Sequence, residues 1–190
     1  MSDPVLHVLA GPNGAGKSAF YQLILAPATH LEFVNADEIA AQRWPDDPIG
    51  KSYDAALIAA ARRTALIDAR TSFITETVFS HDSKLELVRS ATEAGYLVSL
   101  HIVLVPEALA VARVANRVGH GGHDVPEEKI RQRYQRLWPL VIAAIGVVTN
   151  AIVYDNSRIA EPFRVAARFD HGSIVGEPEW PSWAPDVLTR

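Results

Sequence analysis

A glycine-rich segment at residues 11–18 reads Gly-Pro-Asn-Gly-Ala-Gly-Lys-Ser, the order G-x-x-x-x-G-K-[ST]. Glycine allows backbone conformations that a side chain forbids, so consecutive N–H groups can point inward at phosphate oxygens. Lys17 can reach the β- and γ-phosphates of a nucleotide, and the Ser18 hydroxyl is a ligand for Mg²⁺. The dinucleotide-binding order G-x-G-x-x-G fits less well, because these glycines are spaced differently. The residues predicted to bind the triphosphate are Gly11, Asn13, Gly14, Ala15, Gly16, Lys17, Ser18 and Ala19.

Two carboxylates follow predicted strands later in the chain. Asp37 ends the second predicted strand, and Glu76 lies with Thr77 at the end of the third. Ligands of such sheets bind beyond the carboxyl ends of the strands, so both acids should face the triphosphate. A carboxylate there can accept the proton of an attacking hydroxyl or hold Mg²⁺; both roles stay open, with Asp37 favoured as the base. The structural alternatives are that Asp37 caps a helix beginning at Glu38 and that Glu76 accepts a buried hydrogen bond.

Five of the fourteen arginines lie within residues 113–136, a segment that we call the lid. They are Arg113, Arg117, Arg131, Arg133 and Arg136. Two predicted helices flank a loop rich in glycine and histidine, a pattern typical of a segment that closes over a triphosphate and neutralises its charge. Arg117, beside the loop, is favoured for this role, whereas Arg136 fits a solvated helix face. His120 and His123 have no third metal ligand nearby in the sequence, which favours contact with phosphate over metal binding.

The elements that must position these groups alternate along the chain. Short runs rich in Val, Leu and Ile predict strands, and stretches with apolar residues at helical spacing predict helices. The predicted strands are residues 5–10, 33–37, 72–78, 97–105 and 151–155, and the predicted helices are residues 17–26, 51–70, 82–94, 107–118 and 126–145. This alternation predicts an α/β fold: a P-loop kinase-like three-layer αβα sandwich with a mostly parallel five-stranded core sheet and a helical lid.

The C-terminal part of the chain departs from this alternation. Residues 163–175 fit a hairpin or an edge strand around a turn at Asp170 and Gly172. The last 15 residues contain three prolines and two tryptophans and fit an irregular tail. We therefore expect a single domain at residues 1–175, followed by a tail at residues 176–190.

Composition limits the partners that can be expected. The chain has 190 residues, 48% of them apolar and 21% charged, which is typical of one soluble globular domain. A net charge of −4 gives no reason to expect a nucleic acid or an anionic membrane as partner, so any phosphate must be held locally. Cysteine is absent, which excludes disulfides and thiolate metal sites. No apolar stretch reaches the roughly 18 residues that a membrane span needs, and we expect a cytoplasmic protein.

Six segments together resemble the zeta toxin family, especially its short bacterial branch. They are the loop at residues 11–18, Asn35-Ala36-Asp37, Thr75-Glu76-Thr77, the Gly-Gly-His-x-Val-Pro run at residues 121–126, Ile130-Arg131-x-Arg133-Tyr134 and Tyr154-Asp155-Asn156-Ser157. The resemblance implies a kinase that uses ATP and Mg²⁺ to phosphorylate a hydroxyl of UDP-N-acetylglucosamine or a related UDP-amino sugar. It also implies a small antitoxin protein as a partner that blocks the nucleotide site.

The resemblance assigns roles to individual residues. Asp37 matches the family's base, Glu76 matches a glutamate that helps to place the sugar, and Arg117 matches an arginine that contacts the ATP phosphates. Where better-known members carry a second lid arginine, this chain has His123, so Arg131 or Arg133 is expected to supply that charge. The predicted catalytic residues are Lys17, Asp37 and Arg117, the predicted acceptor-binding residues are Asp37, Glu76, Thr77 and His123, and the predicted metal ligand is Ser18.

Two other functions remain open at this point. The same parts could serve a kinase that acts on a nucleoside, a nucleic-acid end or an amino acid, although the net charge of −4 disfavours a nucleic acid. A nucleotide-dependent switch or a transporter-type ATPase would hydrolyse ATP without a small-molecule acceptor. No Leu-Ser-Gly-Gly-Gln signature follows the loop, which counts against the transporter type.

Overall fold

A seven-stranded sheet forms the centre of the molecule. The computed structural model describes residues 3–118 and 125–189, without the side chains of Arg117 and Val118. The strands are β1 (Val5–Ala10), β2 (Glu32–Val34), β3 (Phe73–Thr77), β4 (Leu97–Leu104), β5 (Asn150–Asp155), β6 (Arg164–Asp170) and β7 (Ser173–Ile174). The predicted loop of the lid and the predicted contacts of Arg117 and His123 lie outside the described residues.

The strands lie in the order β2-β3-β1-β4-β5-β6-β7. The first five pair in parallel, β6 pairs antiparallel with β5, and β7 pairs antiparallel with β6. The predicted α/β fold with a mostly parallel five-stranded core is therefore confirmed. The hairpin expected at residues 163–175 is present as β6 and β7, which extend the core sheet at one edge.

The helices of the described part of the chain connect these strands. They are α1 (Lys17–Phe20), α2 (Ala26–Thr29), α3 (Ala36–Arg43), α4 (Ser52–Asp68), α5 (Asp82–Glu93), α6 (Glu107–Val118), α7 (Glu127–Ile145) and α8 (Asp186–Thr189). A π-helical segment, Tyr21–Leu25, joins α1 to α2, so the chain stays helical without a break from the end of the phosphate loop to Thr29. No helix in the described ranges is long and apolar enough to cross a membrane.

Helices cover both faces of the sheet because successive residues of a strand point to opposite sides. Leu6 and Val8 of β1 belong to a larger apolar cluster with residues of α4, α5 and α7, whereas Leu9 belongs to a smaller cluster with residues of α1 and α6. The helix residues concerned are Ala59, Leu66, Val88, Leu137 and Val141 in the larger cluster, and Phe20 and Ala110 in the smaller one. The result is a three-layer αβα sandwich, as expected.

The C-terminal segment packs on the same sandwich. Trp180 and Trp183 lie against the larger cluster, and Leu188 of α8 is buried within it. The segment expected to be an irregular tail therefore includes a short helix and contributes apolar contacts.

The strand order decides which groups lie near the phosphate loop. β1 is flanked by β3 on one side and by β4 on the other, and the pairing register sets Leu9 opposite Glu76 and Ala10 opposite Thr77. The loop that follows Ala10 thus begins beside the polar end of β3. This edge of the sheet is where ligands of open α/β folds bind.

Candidate active site

The phosphate loop owes its shape to its glycines. Gly14 and Gly16 adopt φ angles of 76° and 94°, a region that side chains disfavour. A Cβ atom on Gly14 would lie 2.5 Å from the Ala110 carbonyl oxygen, and one on Gly16 would lie 2.5 Å from Asn156 Nδ2. Both positions therefore exclude a side chain, because the φ angle disfavours one and because neighbouring atoms occupy the place of its Cβ. The loop closes on itself through a hydrogen bond from the Ala15 N–H to the Pro12 carbonyl, 3.2 Å long.

Lys17 directs its ammonium group across the mouth of this loop. The side chain is only 7% exposed, and Nζ donates a hydrogen bond to the Pro12 carbonyl at 3.1 Å. The same Nζ lies 3.7 Å from Glu76 Oε1. The register between β1 and β3 explains this contact, since it sets Glu76 next to the last residues before the loop.

Glu76 connects three of the polar groups near the loop. Besides its contact with Lys17, its Oε2 atom accepts hydrogen bonds from Ser18 Oγ at 3.4 Å and from Asn35 Nδ2 at 3.2 Å. The predicted alternative was a buried structural hydrogen bond to Glu76, whereas these bonds are exposed or partly buried and come from residues that line the cleft. Next to it, Thr77 Oγ1 accepts a hydrogen bond from the Phe79 N–H at 3.1 Å.

Asp37 lies in the first turn of α3 and is not its cap. The helix begins at Ala36, and the side chain of Asn35 accepts a hydrogen bond from the Asp37 N–H at 2.8 Å. The alternative in which Asp37 caps a helix starting at Glu38 is therefore wrong, because Asn35 already fills that position. The Asp37 carboxylate remains exposed and lines the cleft described below.

A cleft of about 820 Å³ unites these elements. Of the residues predicted to bind nucleotide or acceptor, those that line it are Asn13, Gly14, Gly16, Lys17, Ser18, Ala19, Asp37, Glu76, Thr77 and Arg133. Gly11 and Ala15 do not line it. Ala15 is fully buried, and a Cβ on Gly11 would meet the Val103 carbonyl oxygen at 2.5 Å, so both shape the loop from behind.

The two arginines that the sequence left as alternatives in the lid lie in different surroundings. Arg131 forms ion pairs with Glu107 at 2.9 Å and with Glu127 at 2.8 Å, and it does not line the cleft. Arg133 lines the cleft, and Lys129 lines it four residues earlier on the same helix face. Burial lowers the pKa of Arg133, and Arg136 lowers it further, whereas the charge of Asp37 opposes the shift. Of the two arginines left as alternatives, Arg133 is therefore the one that faces the cleft.

Arg113 and Asn156 brace the phosphate loop from the other side of β1, where β4 and β5 lie. Asn156 Nδ2 donates to the Ala15 carbonyl at 2.8 Å, and Arg113 Nη2 donates to the Asn156 carbonyl at 3.0 Å. Arg113 Nη1 also lies 3.5 Å from the Gly14 carbonyl oxygen. Sequence reasoning placed Arg113 only among the lid arginines. Its position one turn before Arg117 on α6 could have indicated a contact with the loop.

Several further residues of the cleft were missed by sequence reasoning. They are Ser52, Tyr53 and Arg63 from α4, Lys84 from α5 and Lys129 from α7. Only Lys129 carried a usable signal, because it precedes Arg133 by four positions on one predicted helix. Arg63 and Lys84 lie on two helices that meet only in the folded protein.

The donor set near the loop suits a phosphate chain with a hard cation. Ser18 Oγ and Glu76 Oε2 offer two neighbouring oxygens, and the positive φ angles of Gly14 and Gly16 shape the loop that would receive the phosphate. No cluster of three or more His, Cys, Asp or Glu side chains suited to a metal ion occurs in residues 3–118 and 125–189. A Mg²⁺ ion here would take its remaining ligands from phosphate and water, as Mg²⁺ commonly does.

Solved structures share this fold at low sequence identity. A chain of the AvrRxo1-ORF1:AvrRxo1-ORF2 complex matches 92% of this chain and 61% of its own length, with a TM-score of 0.70 and 15% identity. A chain of the PezAT chromosomal toxin-antitoxin system of Streptococcus pneumoniae matches 100% of this chain and 78% of its own, with a TM-score of 0.65 and 14% identity. A gluconokinase of Sinorhizobium meliloti matches 86% and 87%, with a TM-score of 0.51 and 18% identity. These likenesses establish a P-loop kinase-like fold.

Relatives by sequence are consistent with that fold. An uncharacterized protein of Haemophilus influenzae is 29% identical over 125 residues, which are 65% of this chain and 88% of that protein. The AAA_33 family, described as an AAA domain, matches residues 6–140, from the first strand to the middle of α7. That match includes the phosphate loop, Asp37, Glu76 and Arg133, and it covers more than half of the sequence. The chain therefore belongs to the AAA_33 family of AAA domains, with a P-loop kinase-like fold.

Proposed function

We propose that this protein is a kinase that transfers the γ-phosphoryl group of ATP to a hydroxyl of a small molecule. The observation that carries the proposal is that one cleft is lined by Lys17 and Ser18 of the phosphate loop, by Asp37 in the first turn of α3, by Glu76 near the end of β3, and by Arg133 of the lid. A cleft of about 820 Å³ has room for a nucleotide and a second ligand.

The phosphate loop and α7 would hold the triphosphate from two sides. The loop N–H groups and Lys17 bind the phosphate oxygens, and Arg133 brings a second cation toward the group that moves. Ser18 and Glu76 would hold Mg²⁺, which neutralises charge on the β- and γ-phosphates when it is bound. The contact of Glu76 with Lys17 at 3.7 Å keeps the carboxylate and the ammonium group beside each other before the nucleotide arrives.

Asp37 is the proposed base. The acceptor hydroxyl gives its proton to the Asp37 carboxylate while its oxygen forms a bond to the γ-phosphorus. The bond between the γ-phosphorus and the bridging oxygen of the β-phosphate breaks, and ADP leaves with that oxygen. Asp37 is free for this role because Asn35, and not Asp37, caps α3. Thr77 and Glu76 line the same part of the cleft and would orient the acceptor.

We propose a UDP-amino sugar such as UDP-N-acetylglucosamine as the first acceptor to test, and a small antitoxin protein as a partner. The support is the resemblance of the site motifs to the zeta toxin family, together with the fold shared with chains of the AvrRxo1 complex and of the PezAT toxin-antitoxin system. A structure of the AvrRxo1 complex with ATP supports ATP as the nucleotide. ATP as phosphoryl donor accords with a cytoplasmic location.

The decisive experiment mixes purified protein with ATP, Mg²⁺ and one acceptor at a time, followed by phosphorus NMR and mass spectrometry. The acceptors are UDP-N-acetylglucosamine, other UDP-sugars, nucleosides, an oligonucleotide with a free 5′ hydroxyl and free amino acids. A phosphorylated product that Lys17→Ala abolishes supports the kinase and identifies its class of acceptor. ATP hydrolysis at a rate that no acceptor changes would instead favour a nucleotide-dependent switch.

A further inference from the structure

Two cations of the cleft, Arg63 and Lys84, have no assigned task in holding ATP. Arg63 lies in the middle of α4 and is 8% exposed, and Lys84 lies in the first turn of α5. Both line the main cleft, and both also line an adjoining cavity of about 310 Å³ between α4 and α5. We call these two residues the basic pair.

Within residues 3–118 and 125–189, the basic pair has no acidic partner. Neither side chain forms an ion pair or a hydrogen bond with the residues that the structure describes, whereas the neighbouring Arg62 forms a two-pronged contact with Glu32 at 2.6 Å. Asp68 and Glu86 line the adjoining cavity, but neither is paired with a member of the basic pair. A buried guanidinium without a counter-charge costs free energy, which an anionic ligand would recover.

The two charges also act on each other. Burial lowers the pKa of Arg63, and burial together with the charge of Arg63 lowers the pKa of Lys84. The charge of Arg63 therefore disfavours the charged form of Lys84 in the protein without ligand. An oxyanion placed between them would replace this unfavourable interaction with two charge-assisted hydrogen-bonding contacts.

The strand order places the basic pair on the acceptor side of the cleft. α3 and α4 connect β2 to β3, and α5 follows β3 directly, so Arg63 and Lys84 come from the same side as Asp37 and Glu76. The groups that brace the phosphate loop, Arg113 and Asn156, come from the opposite side, where β4 and β5 lie. An anion bound by the basic pair would therefore belong to the acceptor and not to ATP.

We propose that Arg63 and Lys84 bind an anionic oxygen group of the acceptor, either a carboxylate or a phosphate, and select acceptors that carry one. The acceptor part of this inference rests on the proposed kinase function. Arginine suits such a group because its planar fork matches the two oxygens of a carboxylate or phosphate. The adjoining cavity extends beyond the basic pair and offers room for the part of the acceptor that lies past its anionic group.

The first experiment measures anion binding without catalysis. The phosphate loop is saturated with Mg²⁺ and a non-hydrolysable ATP analogue, and the thermal unfolding midpoint is then followed as inorganic phosphate or citrate is added. The variants are Arg63→Gln, Lys84→Gln and the charge-conserving Arg63→Lys, with Arg62→Gln as the matched control on the same helix. The same titration with chloride at equal ionic strength measures the general effect of salt on the midpoint, and this effect is subtracted.

We expect phosphate or citrate to raise the midpoint of the unmodified protein, of Arg62→Gln and, in part, of Arg63→Lys. In Arg63→Gln and Lys84→Gln the anion should bind at least about tenfold more weakly, because each loses a charged hydrogen-bond donor. A rise with citrate indicates a carboxylate site, and a rise with inorganic phosphate indicates a phosphate site. The inference is overturned if the midpoint of the unmodified protein does not rise, or if it rises equally in all variants. If Arg63→Gln does not fold, Lys84→Gln provides the same test.

The second experiment separates this inference from the proposed function. Phosphoryl transfer is compared for matched acceptors with and without an anionic group, UDP-N-acetylglucosamine against N-acetylglucosamine and gluconate against glucose. The inference is supported if transfer to the anionic acceptor of each pair is faster than transfer to the neutral one and if Lys84→Gln slows it. Transfer to a neutral member that Lys84→Gln leaves unchanged overturns the inference while the kinase stands. Anion binding without transfer to any acceptor leaves the site in place and overturns its assignment to an acceptor.

Discussion

Asn35 Nδ2 donates a hydrogen bond to Glu76 Oε2 over 3.2 Å, and this contact ties the end of β2 to the end of β3 at the phosphate loop. The same side chain uses its Oδ1 atom to cap α3 through the Asp37 N–H. One amide thus fixes the start of the helix that carries the proposed base and holds the carboxylate that contacts Lys17. Nδ2 contacts Glu76 and Oδ1 caps the helix, so different substitutions of Asn35 can remove one or both of these interactions.

We predict that Asn35→Ala lowers both stability and transfer, whereas Asn35→Ser lowers transfer alone. Alanine removes the cap, at about 1 kcal/mol of unfolding free energy, and also removes the hydrogen bond to Glu76. Serine still caps the helix. Its side chain is too short to reach Glu76 and lacks the amide group that donates the hydrogen bond. Urea unfolding measures the first effect and phosphoryl transfer the second. Equal transfer in Asn35→Ser and in the unmodified protein would show that Asn35 does not position Glu76.

Asp37→Asn should leave ATP binding unchanged and reduce phosphoryl transfer by about a hundredfold or more, because an amide cannot take the proton of the acceptor hydroxyl. Titration with an ATP analogue and single-turnover transfer are the two measurements. Asp46→Asn, which changes an exposed carboxylate outside the cleft, is the matched control. Near-normal transfer by Asp37→Asn would remove Asp37 from the role of base.

Gly16→Ala should weaken ATP binding by at least about tenfold. The added Cβ would lie 2.5 Å from Asn156 Nδ2 at a φ of 94°, so the loop or its brace must shift. Gly146→Ala is the control, because a Cβ there meets only the Ala143 carbonyl oxygen, at 3.7 Å. Equilibrium titration with an ATP analogue compares them, and equal affinity in both variants would show that the loop tolerates a side chain at residue 16.

The contiguous part of the site could be predicted from the sequence, because a phosphate loop is a local motif whose eight residues are neighbours in the chain. The parallel core was also predictable, since each of its first four strands is followed by a helix. Boundaries were less predictable where one side chain decides them. β2 was expected to reach residue 37 but ends at Val34, because Asn35 takes the cap position and the helix starts at Ala36.

The rest of the cleft depends on tertiary packing that no local pattern records. Arg63 and Lys84 come from α4 and α5 and share the cleft only after both helices pack on the sheet. Residues two apart on a helix face different directions, so Arg131 and Arg133 could be expected to have different surroundings, but the folded structure was needed to show which of them lines the cleft. Glu107, which pairs with Arg131, lies on another helix, and its role required the folded structure.

His30 offers a test of backbone strain away from the cleft. It ends α2 with a φ of 54°, its side chain is exposed, and its N–H donates to the Ala26 carbonyl. Glycine adopts this conformation without steric cost, so His30→Gly should raise the unfolding free energy by about 0.5–1 kcal/mol. Gln42→Gly, within α3, should lower it by about 1 kcal/mol. Urea unfolding checks both, and a loss of stability in His30→Gly would contradict the account.

The imidazole pair of His7 and His101 should make stability depend on pH. His7 Nδ1 lies 3.1 Å from His101 Nε2 between β1 and β4. Burial and the charge of His7 lower the pKa of His101 to about 3, and burial also lowers the pKa of His7. The unfolded chain titrates near 6.5 and therefore binds more protons than the folded protein between about pH 6.5 and pH 3, so stability falls as the pH falls through this window.

His101→Gln tests this account, because it removes the group with the larger pKa shift. Within the window, His101 alone makes the unfolding free energy fall by about 1.4 kcal/mol for each pH unit. We expect the unmodified protein to lose about 2 kcal/mol more than His101→Gln between about pH 7 and pH 5. Carboxylates contribute equally to both proteins, so the difference isolates the histidine. Parallel pH profiles from urea unfolding would show that His101 is protonated as readily in the folded protein as in the unfolded chain.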